Sequence, residues 1–314
     1  MSNMSNTVYD IVIIGGGPAA LSAAVYAGRA VLRTVIFEKK VTGGQILTST
    51  LVDNYPGFPD GISGAELTEL MESHAKKFGA EIKYEEVTGL KVESDTKIVT
   101  TDSGTYNSPI VILASGADPR KLGVPGEDEF VGRGVSYCGT CDGPFYKDKD
   151  VVVAGGGDSA ITEGLFITKF AKAVHIVHRR AELTAAKIFQ DEARANPRIR
   201  FVWNSAIEKI SGSDKVEGVT IKNLLTNERK DLSCQGVFVF VGNVPNTGFL
   251  GDLLCVDQGC HIETDENMET AIKGIYAVGD IRKNSYRQLV TAAGEGAIAA
   301  IAAERELAKL HAKK

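Results

Sequence analysis

Two stretches of the chain share one pattern of apolar and small residues. Residues 11–14 form an apolar run that does not alternate with polar positions. It leads into Gly15-Gly-Gly-Pro-Ala-Ala20 and then into apolar residues at helical spacing through Leu21, Val25 and Tyr26. An unalternated run reads as a strand covered on both faces, so the pattern predicts a central parallel strand, a tight turn and a helix. Residues 149–160 repeat the arrangement, with Gly155-Gly-Gly-Asp-Ser-Ala160 followed by Ile161, Leu165 and Phe166. The two turns lie 140 residues apart, and each reads Gly-x-Gly-x-x-Ala. In the order strand, turn, helix, this is the dinucleotide fingerprint, in which glycine lets backbone N–H groups and the helix N-terminus approach a pyrophosphate. A side chain at Gly17 or Gly157 would stand in the phosphate's place.

Further apolar runs complete each unit. Residues 35–37 and 175–177 predict the second strands, and residues 108–116 and 236–242 predict later ones. Residues 275–280 form another strand ending in an acid, followed by an alanine-rich helix from Thr291. That last pair follows a complete second unit, so it is best returned to the first. The expected fold is α/β, with two Rossmann-like three-layer dinucleotide-binding domains, the second inserted into the first. The boundaries are expected at 1–117 with 247–314 for the outer domain and 118–246 for the inserted one.

The ends of the second strands separate the two ligands. Glu38 lies 23 residues beyond Gly15, where a carboxylate accepts from both ribose hydroxyls and repels a 2′-phosphate. At the same offset from Gly155 stands His178, followed by Arg179 and Arg180, which suit a 2′-phosphate through charge-assisted bonds. Taken singly, each reads equally well as a solvated strand end. Opposite chemistry at matching offsets points to a dinucleotide with a free ribose in the first unit and NADP in the second.

The 314 residues are 43% hydrophobic and 24% charged, enough to bury two cores, and the 35 basic against 40 acidic residues give a net charge of −5. That balance argues against nucleic acid or an anionic membrane as the main partner. Residues 1–10 carry no basic leader pattern, and no apolar run approaches the roughly 18 residues that span a bilayer, so a cytoplasmic location is expected.

Five cysteines include one tight pair, Cys138-Gly-Thr-Cys141, followed by Asp142. The spacing suits a small disulfide and thiol–disulfide exchange, one thiolate attacking while the other resolves, with Asp142 moving the proton. The alternative is packing or half a zinc site, whose further ligands would have to be Cys255, Cys260 and His261. Cys234 reads as a small buried hydrophobe, and Cys255 and Cys260 as bystanders. His74 and His175 fall in helix-like and strand-like contexts with no catalytic role, Trp203 is expected on a strand, and the Lys-rich end at 309–314 as a solvated tail. NADP supplies a hydride while a disulfide takes electrons through sulfur, and a flavin bridges the two. FAD is therefore expected on the Glu38 unit.

These motifs, with Gly43-Gly-Gln-Ile46, Asn54-Tyr-Pro-Gly57, Gly279-Asp280, Tyr286-Arg-Gln288 and Thr291-Ala-Ala-Gly294, resemble the low-molecular-weight thioredoxin reductase family over nearly the whole chain. The resemblance implies a homodimer reducing thioredoxin with NADPH, in which Cys141 faces the isoalloxazine, Cys138 attacks the partner and Asp142 is the acid–base. It implies FAD held by Gly15, Gly17, Pro18, Ala19, Glu38, Lys39, Gly44, Gln45, Ile46, Asn54, Val87, Ala114, Gly116, Gly279, Asp280, Arg287, Gln288 and Leu289. NADP would be held by Gly155, Gly157, Asp158, Ser159, His178, Arg179 and Arg180, with no metal. It also implies an inserted domain that rotates about hinges near Ala117 and Asn246. The chain departs from the pattern at Thr184, where the basic cluster usually continues with arginine, and at Ser115, Gly139 and Asp158. Asp158 near a pyrophosphate is mildly unfavourable. No cysteine lies near residue 314, so the large type of thioredoxin reductase is not expected. Other readings are a different donor (NADH, ferredoxin or reduced flavin), a different acceptor (a peroxiredoxin system or a small dithiol), and an FAD-stabilised sensor or zinc module.

Overall fold

The computed structural model describes residues 9–49, 51–254 and 261–312. The chain divides into two compact units, Met1–Asp118 with Val244–Lys314, and Pro119–Asn243. Among the described residues no helix is long and apolar enough to cross a membrane.

The first unit is built on five parallel strands in the order Ile275–Ala277, Ile110–Leu113, Ile11–Ile14, Thr34–Phe37, Glu81–Lys83. The apolar run at Ile11–Ile14 is buried at every position because both faces of the sheet are covered. Ile11 and Ile13 pack against the helices Pro18–Arg29 and Leu289–Ala312 through Ala20, Ala24, Ala299 and Ala303. Val12 and Ile14 turn the other way, onto Leu90, Val99 and Tyr106 of an antiparallel layer formed by Val87–Glu93, Thr96–Thr101 and Thr105–Ser108. The strand from the end of the chain joins the edge beside Ile110–Leu113, so the outer unit closes only after the inserted one has been made.

The second unit repeats this plan. Its parallel sheet runs Ile199–Val202, Ala173–Val177, Asp150–Ala154, Gly236–Val239, Val135–Ser136. Val151 and Val153 meet the helical layer at Ala160 and Ile161, while Val152 and Ala154 meet Ile207, Val219 and Ile221 of a second antiparallel layer. Three layers, with helices on one face and an antiparallel sheet on the other, therefore occur twice, in keeping with the α/β expectation.

Two local expectations need correction. Trp203 lies just past Ile199–Val202, in a turn closed by Asn204 at φ +51°, and stacks on Phe201 with ring centroids 4.7 Å apart. The lysine-rich end is solvated at Lys309 but is helical rather than frayed as far as it is described. The helix continues to Ala312, with Leu310 packed on the core and Lys309 paired to Glu306 at 3.6 Å.

Gly15 is the tightest point of the first turn. Its φ is +104°, and a Cβ there would lie 2.4 Å from the Ala114 carbonyl oxygen. Both the backbone strain and the clash are with fixed main chain, so Gly15→Ala is expected to destabilise the first unit by about 2 kcal/mol or more, read as a lowered midpoint in urea unfolding.

Candidate functional site

In the first unit the fingerprint turn carries the helix Pro18–Arg29 from the end of strand Ile11–Ile14, with Pro18 at the first helical position, where its missing N–H costs nothing. A Cβ at Gly17 or Gly116 would meet nothing within 4 Å, so the mouth of the turn is open where a pyrophosphate would lie. Glu38 closes one side. Its two oxygens accept the Gly16 and Lys40 N–H groups at 2.8 and 3.0 Å, and each keeps a lone pair for a ribose hydroxyl. Lys39 beside it is exposed.

Gly44, Gln45 and Ile46 form the short 3-10 turn Gly44–Thr48, where the Gln45 amide donates to the Ala117 carbonyl. Asn54 and Gln288 are brought together, Nδ2 donating to Oε1 at 3.3 Å. Leu289 starts the last helix and packs with Ile46 around Leu67, whereas Val87 belongs to the antiparallel layer and packs there. Ser115 and Asn246 exchange bonds, Oγ to carbonyl at 2.8 Å and Nδ2 to carbonyl at 3.0 Å.

Asp280 sits on the short turn Gly279–Ile281 at the tip of strand Ile275–Ala277. Burial raises its carboxyl above the ordinary range, partly offset by the Ser285 hydroxyl donating at 3.2 Å. Sequence reasoning missed Glu295, which accepts the Gly279 N–H at 2.6 Å and pairs with Arg282. Nothing in the sequence marks this acid, which sits on an alanine-rich helix 16 residues away. Arg287, at φ +53°, is held in the left-handed region on the same loop, a costly conformation for a non-glycine residue.

In the second unit Gly155 has φ +141°, and a Cβ there would sit 2.4 Å from the Phe240 carbonyl oxygen. The strand Ala173–Val177 delivers His178 onto the turn, where it packs against Gly156, while Arg179, Arg180 and Ser159 are exposed. Asp158 is not idle charge. Its Oδ1 accepts the Ala186 N–H at 2.7 Å, and Thr184 donates Oγ–H and N–H to the Gly156 carbonyl at 3.2 and 2.8 Å. Together they tie the loop after the arginines to the fingerprint, a role the sequence did not reveal.

His178 Nε2 is buried with no hydrogen-bond partner among the described residues. Burial first, and then Arg180 and Arg179, push its pKa below the ordinary 6.5, against a backbone bond at Glu182. The unfolded chain therefore binds the proton more tightly than the folded one. Stability should be complete above pH 6.5 and fall as the pH drops through the lowered folded value, and His178→Gln should flatten part of that fall in melting curves from pH 7 to 5.

The cysteine pair is reached from the edge strand Val135–Ser136. Cys138 N–H donates to Ser136 Oγ, which donates to the Cys138 carbonyl, both at 3.1 Å. The turn Gly139–Asp142 then brings Cys141 back to form a disulfide with Cys138, their Cα atoms 5.3 Å apart. Both cysteines and Asp142 are half-buried. The Cys141 N–H points at Cys138 Sγ at 3.2 Å, a donor that favours a thiolate there once the bond opens. Cys234 is fully buried, and burial pushes its thiol up to about 12, so it is inert at neutral pH. Cys255 and Cys260 lie outside the described residues.

Residues 9–296 match the family described as pyridine nucleotide-disulphide oxidoreductase. The chain belongs to that family. Within the pyridine nucleotide-disulphide oxidoreductases it is 48% identical to a thioredoxin reductase of Treponema pallidum (strain Nichols), over 95% of this chain and 96% of that one. It is 46% identical to a thioredoxin reductase of Bacillus subtilis (strain 168), over 93% of each. The crystal structure of thioredoxin reductase from Streptococcus pyogenes MGAS5005 superposes with a TM-score of 0.91 at 45% identity, over 97% of this chain and all of that one. Both fingerprints and the disulfide lie inside the family match.

Proposed function

We propose that this oxidoreductase reduces the disulfide of thioredoxin with electrons from NADPH, using FAD in the first unit and the Cys138–Cys141 pair in the second. The observation that carries the reading is the half-buried disulfide on its short turn, in a chain whose relatives over nearly full length are thioredoxin reductases. The open cradle at Gly17 and Gly116, with Glu38 beside it, fits FAD, and the cradle at Gly155–Gly157 with Arg179 and Arg180 fits NADPH. When bound, the nicotinamide and flavin supply the conversion of a hydride into an electron pair for sulfur.

The chain's own part is thiol chemistry. Reduction breaks the S–S bond, adding two electrons and two protons. Cys138 as thiolate then attacks the thioredoxin disulfide, expelling one of its sulfurs, and Cys141 attacks Cys138 Sγ to release reduced thioredoxin and restore the pair. Asp142, next to Cys141, takes and returns the proton. A homodimer in the cytoplasm, as in the family it resembles, is part of the proposal.

The test is the visible spectrum during anaerobic titration with NADPH and, in parallel, NADH. Bleaching of a flavin band by NADPH at far lower concentration, followed by recovery on adding oxidised thioredoxin, is the expected result. Flavin that neither nucleotide bleaches would overturn the donor, leaving ferredoxin or reduced flavin to be tried. Bleaching by NADPH without recovery on adding thioredoxin would overturn the acceptor.

A further inference from the structure

Glu163 reaches the redox turn from outside it. It sits on the helix Asp158–Ile167, and its Oε2 accepts the N–H of Thr140, between the two cysteines, at 2.8 Å. Thr140 Oγ1 in turn lies 3.5 Å from Cys138 Sγ. The approach depends on Gly139, because a Cβ there would fall 2.5 Å from Glu163 Oε2, 3.2 Å from Glu163 Cβ and 3.1 Å from Ile167 Cδ1. The carboxylate thus stands where a side chain at residue 139 would stand. Among the described residues, the ionisable groups on the two elements packed most closely against the turn are Glu163 and Asp158 of that helix and Tyr146 of Gly143–Tyr146, with Asp142 on the turn itself. Asp158 is at the far end of the helix, engaged with Ala186, so Glu163 is the charge that bears directly on the inter-cysteine backbone from across the fold.

We propose that Glu163, admitted by the missing side chain at Gly139, is a positioning residue of the Cys138–Cys141 pair that fixes the Thr140 amide and holds a negative charge against the reduced thiols. The proposal rests on the redox reading of that pair. A nearby carboxylate disfavours a thiolate. In the reduced protein, Glu163 therefore keeps Cys138 more fully protonated than the Cys141 N–H alone would, and it raises the free energy of the ionised dithiol. The pair becomes a better electron donor in consequence.

The experiment is the pH dependence of iodoacetamide alkylation of the fully reduced protein between pH 5 and 9. In that reaction the Cys138 thiolate forms a C–S bond and iodide leaves, and the modified residue is identified by peptide mass. Glu163→Gln keeps an acceptor oxygen for the Thr140 N–H but removes the charge. The expected result is a midpoint lower by about half a pH unit and alkylation at pH 6 faster by about threefold. Gly139→Ala, which drives the carboxylate off the amide, should shift the profile in the same direction, and adding it to Glu163→Gln should shift it no further. A Glu163→Gln profile that coincides with the unmodified protein overturns the proposal, as does a Gly139→Ala shift that adds in full to it. Because alkylation needs neither nucleotide nor thioredoxin, a chain that fails to reduce thioredoxin would overturn the proposed acceptor and leave this profile interpretable.

Discussion

Replacing Cys141 by serine is expected to abolish turnover of oxidised thioredoxin, by about 10³-fold or more, while leaving bound flavin unchanged. The two effects separate because the pair belongs to the unit Pro119–Asn243, while the cradle at Gly15, Gly17 and Glu38 belongs to the other. Without its partner sulfur Cys138 stays a free thiol, with the residue 141 N–H still aimed at it. It can make the first attack on a thioredoxin disulfide, but no second thiol remains to break the mixed disulfide that results. The variant should therefore accumulate a covalent complex with thioredoxin, visible on a non-reducing gel and dispersed by added dithiol. Cys138→Ser should lose turnover equally and trap nothing. A Cys141→Ser protein that turns over normally would refute the assignment of the pair.

What could be read in advance was what depends on backbone. Gly15 and Gly155 are glycines because a Cβ would strike the Ala114 or Phe240 carbonyl, and that requirement appears in the sequence as a fixed spacing after an apolar run. The unalternated strands were legible for the same reason, since both faces are covered. The antiparallel layers at Val87–Ser108 and Ser205–Ser233 were not, because their half-exposed strands alternate weakly and are broken by bulges at Val87/Gly89, Ile207/Lys209 and Ser211/Gly212.

Contacts made across the fold by ordinary polar residues were also invisible. Glu163 meets Thr140 from 23 positions away, Asp158 meets the backbone of residue 186 from 28, and Glu295 reaches back to Gly279 from 16. None belongs to a motif, and an acid on a helix reads first as a solvated face. Asp158 is one such case: its charge beside a pyrophosphate could be read from the sequence, but the bond from the Ala186 N–H to its carboxylate, which ties down the loop after the arginines, could not.

That segment carries the second large effect. Arg179→Ala with Arg180→Ala is expected to weaken NADPH by about 10²-fold or more and NADH by less than about threefold. Both guanidinium groups are exposed at the tip of strand Ala173–Val177, so their removal disturbs no core. The 2′-phosphate is the only feature by which the nucleotides differ, and its dianion gains charge-assisted bonds that a free hydroxyl does not. The loss should therefore appear in KM for NADPH and in its dependence on salt, with kcat at saturating nucleotide little changed. Thr184 and Asp158 sharpen the expectation, because they anchor the loop at Gly156 and Ala186 independently of the arginines, leaving its path intact in the variant. Stopped-flow titration of both nucleotides against the flavin band measures the ratio directly. Equal losses for NADPH and NADH would mean that Arg179 and Arg180 do not read the 2′-phosphate, and the donor would have to be sought elsewhere.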